Sequence, residues 1–148
     1  MKKYTYILIT LFAVVFTTSC ESYQIHGDLD GFWQVQSIEN KQTGYITECK
    51  GDIYYSFQRE LVLISYVSPT IPTGQIKESY IAYFTCENNV MTMTDFRIYL
   101  DRNGKQAPLS KLEKFGLHET FNTFDVEKLK SEDLILNSNK VRIVMKKN

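Results

Sequence analysis

Eight short runs rich in β-branched and aromatic residues follow one another along this chain, with little sequence between most of them. Turn signals separate several runs, among them Asn88-Asn89 and Asn103-Gly104, which tolerate positive φ. The predicted strands cover residues 32–38, 53–57, 61–67, 79–86, 90–100, 119–126, 133–137 and 140–147. An antiparallel meander of eight strands has the number of strands that commonly closes into an up-and-down barrel. The sequence therefore predicts an all-β fold, an eight-stranded up-and-down barrel.

The alternation of side chains within the runs indicates which faces of the strands are buried. Ile53, Tyr55 and Phe57 share one face of their strand, and polar or aromatic neighbours occupy the other face. The run at 61–67 is apolar at almost every position, which predicts burial on both faces or leaves its phase ambiguous.

The run at 90–100 changes phase in its middle. Met93 follows one parity and Phe96 follows the other, so an extra residue has to be accommodated between them. A β-bulge near Thr94-Asp95 would reconcile the two halves and bend the strand, which is how sheets close into barrels.

One short helix is predicted between the fifth and sixth strands. Pro108 stands at its start, Leu109, Leu112 and Phe115 recur at three-residue spacing, and Gly116 supplies a C-terminal stop. The fold therefore includes a single helix beside the barrel strands.

The beginning of the chain has the layout of a secretory signal peptide. Lys2 and Lys3 form a charged start, followed by an apolar run at 7–16 that is too short to span a bilayer. Its end, Thr17-Thr18-Ser19-Cys20, resembles the lipobox of bacterial lipoproteins. That resemblance implies that Cys20 is acylated and anchors the protein to a membrane, the alternative being an uncleaved anchor helix. The predicted segments are a signal peptide at 1–19, a lipidated tether at 20–29 and a barrel at 30–148.

The charge balance argues against a nucleic-acid partner. The whole chain has 17 basic and 17 acidic residues, and removal of Lys2 and Lys3 with the leader makes the mature protein slightly acidic. No basic stripe is present, so nucleic acid is not expected to bind. The residues that remain after removal of the leader are as many as one domain usually contains.

Several short motifs resemble those of a known family. Gly31-Phe32-Trp33 matches the Gly-x-Trp signature that opens the first lipocalin strand, and Thr94-Asp95-Phe96 is close to a second lipocalin signature. The pattern from Phe124 to Leu136 is also similar, so that the chain resembles a lipocalin-like (calycin-type) domain of a Bacteroidetes lipoprotein. The resemblance implies a barrel that binds a small ligand, with Arg142 over the ring of Trp33. It also implies the outer membrane, with the periplasmic face favoured because Glu21-Ser22 lacks an acidic export run.

Two interpretations of the barrel interior remain open. In the first, a hollow of about 300 Å³ or more binds a small, apolar ligand. In the second, the core is filled and the barrel is an interaction or accessory module of a cell-envelope complex. Trp33 is either a plug at the closed end or a ligand contact. The candidate ligand contacts are Trp33, Tyr55, Phe57, Phe84 and Ile143.

Cys49 and Cys86 are the cysteines that remain once Cys20 is lipidated. An oxidising compartment would favour a disulfide between them, and two unpaired, buried thiols are the alternative. His26 and His118 lie in no nucleophile or metal motif, so no enzyme activity, cofactor or metal is expected.

Two surface features could recognise a macromolecule. The loop at 69–74, with two prolines, is either a lid or a plain connection. A contiguous patch of tyrosines on the outer face would favour a protein or glycan partner. The candidate residues for that patch are Tyr54, Tyr66, Tyr83 and Tyr99.

Overall fold

The computed structural model describes residues 26–68 and 76–148, so the leader, Cys20 and the loop at 69–74 lie outside the described residues. Within the described ranges, no helix is long and apolar enough to cross a bilayer. The strands are β1 (Gly31–Asn40), β2 (Tyr45–Glu48), β3 (Ile53–Gln58), β4 (Leu61–Val67), β5 (Ile76–Glu87), β6 (Val90–Ile98), β7 (Phe121–Leu129), β8 (Asp133–Asn137) and β9 (Val141–Lys147). The helical elements are a 3₁₀ turn at Gly27–Leu29, the helix α1 (Leu109–Leu112) and a second 3₁₀ turn at Glu113–Phe115.

The strands form one antiparallel sheet that closes on itself. Strands β3 to β9 pair in sequence order, β1 pairs with β3, and β9 returns to pair with β1. These eight strands make the closed up-and-down barrel, which confirms the predicted all-β fold class with one short helix.

Strand β2 is an addition that the sequence pattern did not predict. It pairs with the second half of β1, from Ser37 to Asn40, where β3 no longer reaches. All of its residues are exposed, so the strand carries no buried face. Without a buried face there is no apolar alternation by which a strand could be recognised.

The predicted bulge is confirmed in β6. Tyr83 pairs with Thr94 and Ile81 pairs with Arg97, so that Asp95 and its neighbour together face one residue of β5. Asp95 has a φ of 56°, which allows the chain to take up the extra residue. The bulge turns the later part of β6 so that its apolar side chains also enter the barrel.

The core is continuous and consists of the inward face of every barrel strand. Strand β4 corrects one expectation: Val62 and Ile64 point inward and are buried, whereas Leu61 is exposed and Leu63 is half-buried. Its apolar outer positions therefore lie on the barrel surface rather than under a second layer.

The barrel has two different ends. The Trp end carries the start of β1, the 3₁₀ turn at Gly27–Leu29 and the last residue of β9, Lys147. The helix end carries the connection from β6 to β7, which contains α1. Gly116 ends this connection's helical part with a φ of 83°, as the sequence predicts.

Candidate functional site

At the Trp end, Trp33 is a structural plug. Its side chain is completely buried, and its Nε1–H donates a hydrogen bond of 2.8 Å to the carbonyl of Leu29. Leu29 lies in the preceding 3₁₀ turn and is itself buried, so that the chain folds back under the indole. The ring of His26 contacts the ring of Phe84 at 5.0 Å and completes the closure. This geometry supports the interpretation of Trp33 as the plug of the closed end.

The cation over the indole is Lys147 rather than the predicted Arg142. The Nζ of Lys147 lies 5.1 Å from the ring centroid of Trp33 and donates to the carbonyl of Asp28 at 2.8 Å. Pairing of β1 with β9 sets Lys147 directly opposite Trp33, whereas Arg142 is opposite Glu39 near the helix end. The prediction for Arg142 was wrong because the sequence does not reveal the register in which the barrel closes.

At the helix end, the connection between β6 and β7 fills the mouth of the barrel. Leu112, Phe115 and Leu117 are buried, and the ring of Phe115 packs edge-on against Tyr80 with 5.7 Å between centroids. The hydroxyl of Tyr55, in the middle of β3, donates a hydrogen bond of 2.7 Å to the carbonyl of Phe115. The helix is thus an internal plug, which its sequence pattern alone did not show.

A carboxylate ties this helical segment to the barrel wall. Glu78 of β5 lies 2.6 Å from the Nζ of Lys114 and 3.8 Å from that of Lys111. The hydrogen bond from Lys114 is the main reason why the pKa of Glu78 is below its ordinary value of 4.5. The same ammonium group lies 4.4 Å from the ring centroid of Tyr66, which adds a cation–π contact. Glu78 and the two lysines were not singled out from the sequence, because no motif marks an ion pair between distant residues.

The five candidate ligand contacts all point into the barrel, where they pack against other side chains. Their exposed fractions are between 0 and 2%. Phe57 and Phe84 meet edge to face at 5.0 Å, and the rings of Tyr55 and Phe57 are 6.2 Å apart. Residues that lined a hollow of ligand size would expose their atoms to a water-sized probe. These residues form a packed core instead. The five are Trp33, Tyr55, Phe57, Phe84 and Ile143.

The two cysteines are free thiols in the structure, so the candidate disulfide is not formed. Cys49 follows β2 near the helix end, whereas Cys86 lies in β5 beside the Asn88-Asn89 turn at the opposite end of the barrel. Burial, with Asp52 nearby, raises the pKa of Cys49 to about 11, and burial also raises the pKa of Cys86. Both thiols therefore stay protonated at neutral pH and are weak nucleophiles.

The outer surface of the barrel carries an open groove across β3, β4 and β5, which we call the outer trough. It has a volume of about 490 Å³. Leu63 and Ile81, which are paired neighbours of β4 and β5, contribute apolar surface, and Tyr99 and Arg59 add an aromatic and a cationic group. The described residues that line the outer trough are Ser56, Gln58, Arg59, Leu61, Leu63, Ile81 and Tyr99.

A row of exposed side chains continues from the outer trough across the barrel. Leu61 pairs with Tyr83, Tyr83 with Thr94, and Thr94 with Phe121, so that the four side chains are cross-strand neighbours. Tyr83 and Phe121 are more than half exposed, at 53% and 56%. We call these four residues the outer row. Together with the trough they form an exposed apolar surface.

The tyrosines predicted for the outer face divide into two groups. Tyr83 and Tyr99 are exposed and belong to the outer row and the outer trough. Tyr54 also faces outward but is stacked on Phe32 at 4.8 Å, and its hydroxyl bonds to the carbonyl of Gly51. Tyr66 contacts Lys114 at the helix end instead.

The described residues contain no group of three or more His, Cys, Asp or Glu side chains that could hold a metal ion. His118 is half-buried beside Asn122, whose side-chain oxygen accepts from the backbone N–H of His118 at 3.1 Å. The contact stabilises the turn that leads into β7.

A closed barrel of eight antiparallel strands, with a buried tryptophan on the first strand, defines the class of lipocalin-like β-barrels. The family model described as lipocalin-like domain matches residues 14–148. The chain belongs to this family, which confirms the resemblance seen in its motifs. Its fold is in general that of a barrel that binds small ligands, and it is typically not enzymatic.

Two crystal structures are similar to the fold. A lipocalin-like protein from Bacteroides uniformis ATCC 8492 superposes with a TM-score of 0.61 at 18% identity, covering 82% of this chain and 100% of that one. An uncharacterized protein from Bacteroides eggerthii DSM 20697 gives a TM-score of 0.62 at 20% identity, covering 81% and 99%. No curated protein matches the sequence. At these identities the likeness concerns the fold alone.

Proposed function

We propose that this protein is a lipid-anchored component of the bacterial cell envelope, in which a filled lipocalin-like barrel serves as an interaction module. In this proposal Cys20 is acylated, residues 20–29 form the tether, and the barrel stands on the periplasmic face of the outer membrane. The signal-peptide layout and the lipobox-like Thr17-Thr18-Ser19-Cys20 support the anchoring.

The observation that carries the proposal is the filled interior. The five candidate ligand contacts are at most 2% exposed, and each end of the barrel is closed by the protein's own side chains. Leu29 closes the Trp end, whereas Leu112 and Phe115 close the helix end. Among the described residues the interior of the barrel is packed, which favours a recognition surface on its outside.

The outer trough and the outer row supply such a surface. Interfaces are enriched in aromatic residues and arginine around an apolar centre, and Tyr83, Tyr99 and Arg59 surround Leu61 and Ile81 in that manner. Arg59 is the charged group among the described residues that line the trough. A complementary partner is therefore an envelope protein with an acidic side chain next to an apolar anchor.

Lipid anchoring is tested by replacing Cys20 with alanine. The variant Cys20→Ala should leave the membrane fraction and lose acyl labelling, whereas the matched cysteine variant Cys49→Ala should remain in the membrane and stay labelled. Unchanged fractionation of Cys20→Ala would refute the anchor.

The filled interior is tested by native mass spectrometry of protein released from membranes in mild detergent. The expected mass is that of the polypeptide and its acyl chains, without a further small molecule. A compound that co-purified at one per chain would overturn the filled-core function.

The recognition surface is tested by charge insertion. In membranes of the native host, a complex of this protein should be seen on native gels, and Leu61→Asp should abolish it. Ile46→Asp, at an exposed residue of β2 outside the trough, is the matched control and should leave the complex intact. Loss of the complex in both variants, or a free monomer in the wild type, would contradict the proposal.

A further inference from the structure

The loop that follows β6 carries an exposed leucine. Residues 99–104 join the end of β6 to a segment that returns along it, and we call these six residues the tip. Leu100 is 82% exposed, the largest value among the exposed large apolar residues that the structure describes. Packing within the barrel therefore does not explain why a leucine stands at this position.

The backbone at Leu100 is also unsuited to a leucine. Its φ is 66°, which lies in the left-handed region where a Cβ and a long side chain crowd the main chain. Glycine or asparagine would adopt this conformation at a lower cost in free energy. Leu100 thus lowers the stability of the fold without burying its side chain, and strain of this kind is typical of functional positions.

Hydrogen bonds hold the tip in one conformation. The backbone N–H of Ile98 donates to the carbonyl of Lys105 at 2.9 Å, which closes the base of the tip. Inside it, the backbone N–H of Gly104 donates to the carbonyl of Asp101 at 3.0 Å. Leu100 is therefore presented on a preformed loop, so that little conformational entropy is lost when a partner binds.

The tip adjoins the outer trough at the helix end. Tyr99, the residue before Leu100, lines the trough. Arg59 lines it at the Trp end, in the turn from β3 to β4, and has a positive φ of 57°. The other non-glycine residues with positive φ in the described ranges are of types that tolerate it, namely Asn88, Asn89 and Asp95. The two side chains that do not suit a left-handed backbone therefore lie at opposite ends of one surface.

Two cations accompany the exposed leucine. Arg102 and Lys105 are exposed, and neither forms an ion pair with any residue that the structure describes. The carboxylate of Asp101 accepts the backbone N–H of Asn103 at 2.8 Å, within the tip itself. An apolar pocket with carboxylates at its edge is the surface that complements Leu100 and these two cations.

We propose that Leu100 is the anchor by which the tip docks into an apolar pocket of an envelope protein, with carboxylates of that pocket facing Arg102 and Lys105. The inference rests on the proposed function, since the tip and the outer trough then contact the same partner. A protein is favoured over a lipid surface because the tether joins the barrel at the Trp end, and the tip lies at the opposite end. The strained leucine serves recognition at the expense of stability.

Replacement of Leu100 by asparagine separates recognition from stability. Asparagine tolerates the left-handed backbone, so Leu100→Asn should raise the denaturant concentration at the midpoint of unfolding. The variant also lacks the apolar anchor. In membranes of the native host it should therefore reduce the complex seen on native gels about tenfold or more. Leu100→Met keeps both the anchor and the strain, and it should keep the complex.

Matched controls lie elsewhere on the surface. Leu109 is an exposed leucine of α1 without a positive φ, so Leu109→Asn should leave the complex intact and should not raise the midpoint. The double variant Arg102→Glu with Lys105→Glu should weaken the complex, most strongly at low ionic strength. Lys130→Glu, at an exposed residue of the turn between β7 and β8, should have no such effect.

An intact complex in Leu100→Asn would overturn the proposal. A lowered midpoint of unfolding would also overturn it, since Leu100 would then be a structural residue. A third contrary result is binding of the unacylated mature chain to phosphatidylethanolamine–phosphatidylglycerol vesicles that Leu100→Asn abolishes, because the tip would then bind lipid.

Comparison with Leu61→Asp separates this inference from the proposed function. If Leu61→Asp abolishes the complex and Leu100→Asn does not, the outer trough remains the interface and the inference about the tip is wrong. If the complex survives Leu61→Asp but not Leu100→Asn, the tip is the interface and the role of the trough is wrong. A wild type without a complex would contradict both.

Discussion

The two ends of the barrel are both closed, but by segments of different origin. At the Trp end the closing contact joins Trp33 to Leu29, four residues earlier, so the cap belongs to the same piece of chain as β1. At the helix end the closing contact joins Tyr55 to Phe115, which are 60 residues apart. A local closure forms and breaks with the strand that carries it, whereas a distant one can separate while the barrel remains folded.

The largest expected effect of a single substitution lies at the Trp end. Trp33→Ala removes a fully buried indole together with its hydrogen bond to Leu29, and large-to-small changes of this kind cost about 3–5 kcal/mol. Chemical denaturation should show a loss in this range. A loss below about 2 kcal/mol would mean that the closure of the Trp end contributes little to the stability of the barrel.

The corresponding substitution at the helix end should be less costly. Phe115→Ala removes a ring that is equally buried, but the short segment of residues 108–116, which we call the plug, can settle into part of the vacated space. We expect a loss of about 2–3 kcal/mol in denaturation, since the cost depends on how far a site can collapse. A loss as large as that for Trp33→Ala would mean that the two closures contribute equally to the stability of the barrel.

The hydrogen bond at the helix end should contribute less to the free energy of unfolding than the ring of Phe115. Tyr55→Phe leaves the carbonyl of Phe115 buried without its donor, which costs about 1–2 kcal/mol. Denaturation of this variant beside the wild type measures the loss. An unchanged free energy of unfolding would indicate that the Phe115 carbonyl is hydrogen-bonded to water, and that the helix end of the barrel is already open.

The smallest expected effect on stability is that of replacing Glu78, and this effect depends on pH. The folded-state pKa of Glu78 is lowered, mainly by the hydrogen bond from Lys114, so its contribution is complete above the ordinary value of 4.5. The contribution is lost as the pH falls through the lower folded-state pKa. Glu78→Gln should cost less than about 1 kcal/mol at pH 6 after allowance for solvent screening, and less still at pH 3.

That comparison is made by denaturing the wild type and Glu78→Gln at both pH values. Glu127→Gln, which removes an ion pair outside the plug, gives the background for any carboxylate lost from the surface. A difference for Glu78→Gln that was as large at pH 3 as at pH 6 would show that the effect is not electrostatic.

Local sequence patterns were sufficient to predict the barrel strands, the bulge and the helix. Alternation predicted the eight barrel strands, and the change of parity between Met93 and Phe96 predicted the bulge of β6. Proline, leucine spacing and Gly116 predicted the helix. Each of these signals is local, because the period of a strand or helix is written in neighbouring residues.

The features of the outer surface and of the helix end depend on contacts between distant residues. The pairing of Trp33 with Lys147 follows from the register in which β1 meets β9, and no local pattern encodes it. The plug position of Phe115 and the separation of Cys49 from Cys86 likewise follow from barrel closure. The outer row was missed for a related reason, because Leu61, Tyr83 and Phe121 come together only when the four strands β4 to β7 pair.

Native-state hydrogen exchange tests the difference between the two ends most directly. The indole N–H of Trp33 reports on the Trp end, and the backbone N–H of Gly116, bonded to the carbonyl of Glu113, reports on the plug. In increasing denaturant below the unfolding transition, Gly116 should exchange through a local opening of low, denaturant-independent free energy, whereas the indole should exchange through global unfolding. Exchange of both protons with the same global free energy would contradict a separable plug.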